Sequence, residues 1–157
     1  MATKVARRPT RAHGTHVVHV PAMTKAIPTV QKYMTTNPHS IGQEQTLAKA
    51  HEMMREHKLR HLPVLEGGRL VGMLTLRDLH LGETLKDVDP KKITVEDAMS
   101  STVYAIVPDA PLDDVASEMA EHKYGSAVVM QNNKVVGILT TVDVCRALAE
   151  LLRGRLK

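Results

Sequence analysis

The sequence predicts an α+β fold in which two β-α-β-β-α repeats pack sheet to sheet with their helices outside. Three observations lead there. First, residues 30–79 align without a gap on residues 95–144: Met34 falls on Met99, Ile41 on Ile106, Leu47 on Leu112 and Met54 on Met119. Second, apolar residues recur at three- and four-residue steps in both copies (Leu47, Ala50, Met54; Leu112, Val115, Met119), the period of a helix with one buried face. Third, each copy carries two short runs rich in β-branched and aliphatic residues, joined by a tight polar turn. A repeated unit that cannot bury its apolar face alone packs against its copy.

Taken in order, residues 1–27 mix Pro, Gly, Thr and Arg with no sustained period and read as a basic, His-containing tail. Short helical turns are expected at 30–34 and 95–99, then brief strands near 39–41 and 104–107. The first long helix of each copy starts at Thr46 or at the turn 109–111. Strands follow at 61–65 and 126–130. The turns Glu66-Gly67-Gly68 and Gln131-Asn132-Asn133 are built from residues that tolerate the positive φ of a tight hairpin. Return strands at 70–74 and 135–139 lead into second helices beginning at Thr75 and Thr140. The chain thus divides into a tail (1–27), a first repeat (28–82), a polar linker (83–94) and a second repeat (95–153).

Composition narrows the function classes. Lys and Arg total 21 against 17 Asp and Glu, a net charge of +4. Five of the basic residues (Lys4, Arg7, Arg8, Arg11 and Lys25) precede Thr29 with no acid among them, so the repeat body is near neutral. Such a body is not a polyanion binder. With no Phe or Trp and 3 Tyr it also lacks the stacking platforms of single-strand binders, so nucleic acid is not an expected partner. No apolar run reaches the roughly 20 residues of a membrane span, and no membrane partner is expected. The single Cys145 excludes an internal disulfide, suits a reducing cytoplasm and reads as a small buried hydrophobe. No nucleophile elbow, phosphate-binding loop with its Lys, or Cys pair for zinc is present, so the chain is read as not an enzyme.

The polar residues that repeat are more telling than the apolar ones. Gly72-Met73-Leu74-Thr75-Leu76-Arg77-Asp78 matches Gly137-Ile138-Leu139-Thr140-Thr141-Val142-Asp143. Where a strand ends and a helix begins, Thr followed three residues later by Asp makes a capping box, which accounts for both residues without a ligand. The same atoms also suit a nucleotide. A helix N-terminus offers unpaired N–H groups to phosphate, and a carboxylate can accept hydrogen bonds from a ribose diol. The recurrence of both residues at one spacing favours the ligand reading.

These residues resemble a known family. Met34-Thr35-Thr36-Asn37-Pro38, His61-Leu62-Pro63-Val64 and Gly-x-Leu-Thr-x-x-Asp in each copy look like a tandem pair of cystathionine-β-synthase (CBS) domains, a Bateman module, and the likeness covers residue 28 to about residue 152. The resemblance implies a stand-alone regulatory sensor in signal transduction, a flat homodimer with an unidentified downstream protein partner. It further implies an adenosine-containing ligand between the copies: AMP, ADP, ATP or a compound like S-adenosylmethionine. In such a module Asp78 and Asp143 hold ribose, while Thr75 and Thr140 touch phosphate or ribose. Asn37 and Thr102 lie near the base, with Ile41, Gly42, Ile106 and Val107 close by. Leu59, Arg60 and His61 form one wall, Tyr124, Gly125 and Ser126 the other; Pro63 belongs to the same motif as His61, and Arg77 precedes Asp78. The copies differ where Arg60, His61 and Arg77 meet Gly125, Ser126 and Val142, so unequal sites are expected.

The rival reading is a nucleic-acid- or metal-binding adaptor working through the tail, where His13, His16 and His19 are spaced by three. Metal requires ligands that converge on one point, and an extended tail supplies no such convergence, so no metal is expected. His57 and His122 end matching helices, where a cation complements the dipole. The recurrent Met residues read as pliable core in a chain without Phe or Trp.

Overall fold

A computed structural model describes residues 26–155. After a 3-10 turn at Val30–Lys32 come β1 (Thr35–Thr36), β2 (Ile41–Gly42), α1 (Leu47–His57), β3 (His61–Glu66), β4 (Arg69–Thr75) and α2 (Leu76–Thr84). The second half supplies α3 (Val95–Ala98), β5 (Ala105–Ile106), α4 (Leu112–His122), β6 (Ser126–Gln131), β7 (Lys134–Thr140) and α5 (Thr141–Arg155). The expected α+β class, with two sheets and the long helices flanking them, is what the chain adopts.

The duplication extends to backbone detail. β2 runs parallel to β3 and β3 antiparallel to β4, as β5 does to β6 and β6 to β7. Each hairpin bulges at the same place, between Val64 and Leu65 and between Val129 and Met130. The hairpin turns take positive φ at Gly67, Gly68, Asn132 and Asn133, as their residue types allow. Thr46 caps α1 by accepting from the Lys49 N–H at 3.2 Å. Both α1 and α4 end in a left-handed residue, Lys58 and Lys123.

One strand, β1, was not expected, and it shows how the copies interlock. Thr35 and Thr36 pair with Ile138 and Gly137 of β7, extending the other repeat's sheet to the order β1-β7-β6-β5. Reciprocally, Ser100 bridges Met73 of β4, with N–H···O distances of 2.9 and 3.0 Å. The exchange includes the cores. Val30 is buried with Leu112, Val115 and Leu139, and Val95 with Leu47, Leu74 and Leu79. Backbone bonds fix both insertions: Val30 N–H to Ala110 O and Leu112 N–H to Pro28 O at 2.9 Å, Val95 N–H to Gln45 O at 2.8 Å. Gly72 and Gly137 are glycine because Met99 and Met34, carried on the exchanged segments, lie over them where a Cβ would stand. The sheets meet through Met73, Val128 and Ile138 with Leu70, Val103, Met130 and Val135 around them.

Cys145, expected in the interior, is exposed on α5. The helix turns it outward because the buried positions of its face are Asp143 and Ala147. No helix among the described residues is long and apolar enough to cross a membrane.

Candidate functional site

Both Thr-x-x-Asp turns form complete capping boxes. In the first copy the Thr75 N–H and hydroxyl donate to Asp78 Oδ2 at 2.8 and 2.7 Å, and the Asp78 N–H donates to Thr75 Oγ1 at 3.2 Å. In the second, the Thr140 N–H and hydroxyl donate to Asp143 Oδ2, both at 2.9 Å, and the Asp143 N–H returns to Thr140 Oγ1 at 3.4 Å. A third pair, Thr94 and Asp97 on short α3, makes the same side-chain contact at 2.9 Å. The motif alone is therefore a cap, and its surroundings decide what else it does.

The surroundings of the two repeated turns are concave. β1 lies antiparallel along β7, with the Asn37 N–H continuing the pairing to Val136 O, and the first copy's segment after β1 lines one cavity with the turn that ends β7. Thr140 and Asp143 thus share a cavity of about 600 Å³ with Asn37, Leu59, Arg60 and His61 of the first copy. By the reciprocal exchange, Thr75 shares a cavity of about 180 Å³ with Thr102, Tyr124, Gly125 and Ser126 of the second. Each cleft joins one copy's strand–helix turn to the other copy's loop and second-strand start.

The clefts differ in charge. The large one carries His39, Lys58, Arg60 and His61 facing a single acid, Asp143. The small one carries Lys123 and His61, with Tyr104 and Tyr124 stacked at 5.0 Å along its wall. Burial, followed by nearby acids led by Glu118, raises the Tyr104 phenol above its ordinary value, so its hydroxyl stays neutral. Burial lowers the His61 proton affinity and Arg60 lowers it further, against a smaller opposite pull from Asp78. The acids differ too. Asp143 Oδ1 accepts from Arg146 Nη1 at 3.1 Å, whereas the counterpart of Arg146 is Leu81, and no hydrogen bond reaches Asp78 Oδ1 among the described residues.

Several residues named from the sequence lie outside both linings. Ile41 is buried in the first core and Ile106 packs on the second, because alternate strand residues face opposite sides and these face the helices. Gly42 neighbours the Glu44 carboxylate, and Pro63 is buried in β3 opposite Met73. Val107 and Arg77 are exposed, and Asp78 holds Thr75 from behind. Conversely, His39, Tyr104, Lys58 and Lys123 line the clefts and were not singled out. For Lys58 and Lys123 a signal was present: Glu-His-Lys is a polar triplet repeated in register at 56–58 and 121–123.

Glu118, Glu121 and His122 form an exposed group on α4 whose ligand atoms lie within 4.8 Å of one another, close enough to share a metal ion. The tail histidines lie outside the described residues.

Comparison with known proteins agrees with this architecture. The CBS domain sequence model matches residues 30–80 and 95–150. Hypoxic response protein 1 of Mycobacterium tuberculosis is 30% identical over 123 residues, covering 78% of this chain and 86% of that protein. A crystal structure of Hypoxic Response Protein I with two coordinated zinc ions matches with a TM-score of 0.67 at 29% identity, over 76% of this chain and 98% of that one. The CBS domain pair of protein MJ0100, in complex with 5-methylthioadenosine and S-adenosyl-L-methionine, matches at TM-score 0.73 and 26% identity, over 80% and 98% of the two chains. CBSX2 in complex with AMP matches at TM-score 0.66 and 28% identity, over 78% and 97%. Two exchanged repeats, each ending its hairpin in Thr-x-x-Asp beside an inter-repeat cleft, make this chain a member of the CBS domain family, with its domains in tandem.

Proposed function

We propose that this chain is a regulatory sensor that binds an adenosine-containing ligand between its repeats and passes the occupancy to a protein partner. One observation carries the reading: Thr140 and Asp143 converge with Arg60, His61 and Asn37, drawn from the other repeat, in one cavity of about 600 Å³. That cavity has room for a nucleotide, a carboxylate for ribose and cations for phosphate. The solved relatives bound to AMP and to S-adenosyl-L-methionine support the ligand class. The cationic lining favours a phosphorylated member, AMP, ADP or ATP, in the large cleft; the less charged small cleft discriminates less between nucleotide and nucleoside. Regulation follows from differential binding, with the ligand stabilising one placement of the repeats or one dimer geometry.

A homodimer is part of this proposal, because Leu81 on α2, Leu85 just beyond its end, and Leu148 and Leu152 on α5 are exposed apolar side chains suited to a second copy. A cytoplasmic setting suits the exposed, unpaired Cys145.

A thermal-shift panel of adenosine, AMP, ADP, ATP and S-adenosylmethionine tests the reading. A ligand present at 100 times its Kd stabilises by about 2.7 kcal/mol, and a flat panel rejects the proposal. Removal of residues 1–27 should leave that binding intact, whereas an adaptor working through its tail would lose its activity.

A further inference from the structure

We propose that His61 is one titratable wall shared by both clefts, so that a phosphorylated ligand in the large cleft takes up a proton at His61 and presents the resulting charge to the small cleft. The inference rests on the nucleotide reading and deepens it.

His61 opens β3, paired with Thr75, and its side chain lines the large and the small cavity alike. No other described residue lines both. The ring reaches this position because residue 125 is glycine: a Cβ there would stand 2.8 Å from His61 Nε2. The duplication breaks its symmetry at this point. The counterpart of His61 is Ser126 and that of Gly125 is Arg60, so only the first copy contributes a titratable ring there.

The groups around the ring set its response. Facing it from the large cleft are His39, Lys58, Arg60 and Asp143. From the small cleft come Lys123, Tyr104 and Tyr124, and Asp78 stands behind Thr75. Burial and Arg60 keep the imidazole neutral near pH 7 in the ligand-free protein. A phosphate dianion a few ångströms away favours the imidazolium. The charge so acquired borders the small cleft as well. Since linkage is reciprocal, a second phosphate arriving there meets His61 already protonated and draws no further proton.

Calorimetric titration of AMP into the full chain, near neutral pH in buffers of different ionisation enthalpy, measures this uptake. The expected result is proton uptake with the first equivalent, none with any later one, and its loss in His61→Gln. In parallel, the histidine C2–H resonance missing from the His61→Gln spectrum should titrate at a higher midpoint in the parent once AMP is added, a readout that does not need the variant to bind. Binding without uptake, uptake retained in His61→Gln, equal uptake at two equivalents or an unmoved midpoint would each overturn the inference while the nucleotide reading stands. Absence of AMP binding removes both.

Discussion

Asp143 and Arg146 form an ion pair that the other repeat lacks, with Asp143 Oδ1 3.1 Å from Arg146 Nη1 and Leu81 occupying the equivalent place beside Asp78. Asp143 is buried while the Arg146 side chain is 70% exposed, so the guanidinium partly neutralises a carboxylate that already caps α5. With the guanidinium in solvent, such a pair contributes about 1 kcal/mol. Arg146→Leu should therefore shift the melting temperature little and leave Asp143 more open to a ribose, tightening adenosine binding in the large cleft. Weaker adenosine binding in calorimetry would show that Arg146 itself touches the ligand.

Asp143→Ala should weaken nucleotide binding by about 1.5–3 kcal/mol, the range for a hydrogen bond to a charged group. Asp78→Ala should weaken binding in the small cleft less, because Asp78 lies outside its lining and acts there only through Thr75. Both also remove a cap, which costs about 1 kcal/mol of stability. Calorimetry on folded variants separates the two effects, and unchanged affinity in both leaves the capping boxes as the whole role of these residues.

Arg60→Ala should reduce the affinity for AMP far more than for adenosine and should flatten the salt dependence of AMP binding, because Arg60 is an exposed cation on the large cleft only. Titrations at low and high salt check this. Equal losses for AMP and adenosine would remove Arg60 from the phosphate site.

His61 also predicts how stability responds to acid. Its folded proton affinity lies below the ordinary value of 6.5, so below that pH the unfolded chain binds a proton that the folded chain resists. Stability is then fully present above the unfolded value and declines as pH falls through it toward the folded one. Denaturant melts between about pH 7 and pH 5 should show a smaller decline in His61→Gln than in the parent; parallel profiles would count against a depressed histidine at this position.

Gly72→Ala should destabilise by about 1–3 kcal/mol, the usual cost of overpacking. Its new methyl meets the Met99 sulfur and lies 2.9 Å from the Ser100 carbonyl oxygen, which is backbone and cannot yield. Gly137→Ala should cost less, because its nearest neighbours all belong to the flexible Met34 side chain, and Met34→Ala in the same chain should recover part of the loss. Additive effects would mean that Met34 does not lie over Gly137.

Much of this was legible because the sequence states it twice. The helical faces, the hairpins and their turn residues, and the caps at Thr46, Thr75 and Thr140 all depend on local spacing, which a repeat makes easy to read. The exchange was not legible. Thr35 and Thr36 have no alternation long enough to mark a strand, and nothing nearby in sequence reveals that Ile138 and Gly137 are their partners. For the same reason, the sharing of one cleft by Arg60 and Asp143, rather than Asp78, became visible only in three dimensions. Ile41 and Ile106 were assigned to the site by position within a motif, but strand alternation turns them to the core.

The insertion of Val30 into the second core and of Val95 into the first has a consequence for how such a chain folds and arose. Neither repeat, as the sequence delimits it, contains its own complete hydrophobic interior. A single repeat expressed alone would have to borrow the missing segment from another molecule, giving an intertwined pair of identical chains. In the tandem chain that pair is covalently closed, and the ring is sealed only when Val30 docks beside Leu139 across most of the polypeptide. Such distant pairing carries a high loop-closure cost and is slow, so the amino-terminal turn should be among the last pieces to settle and the first to be released.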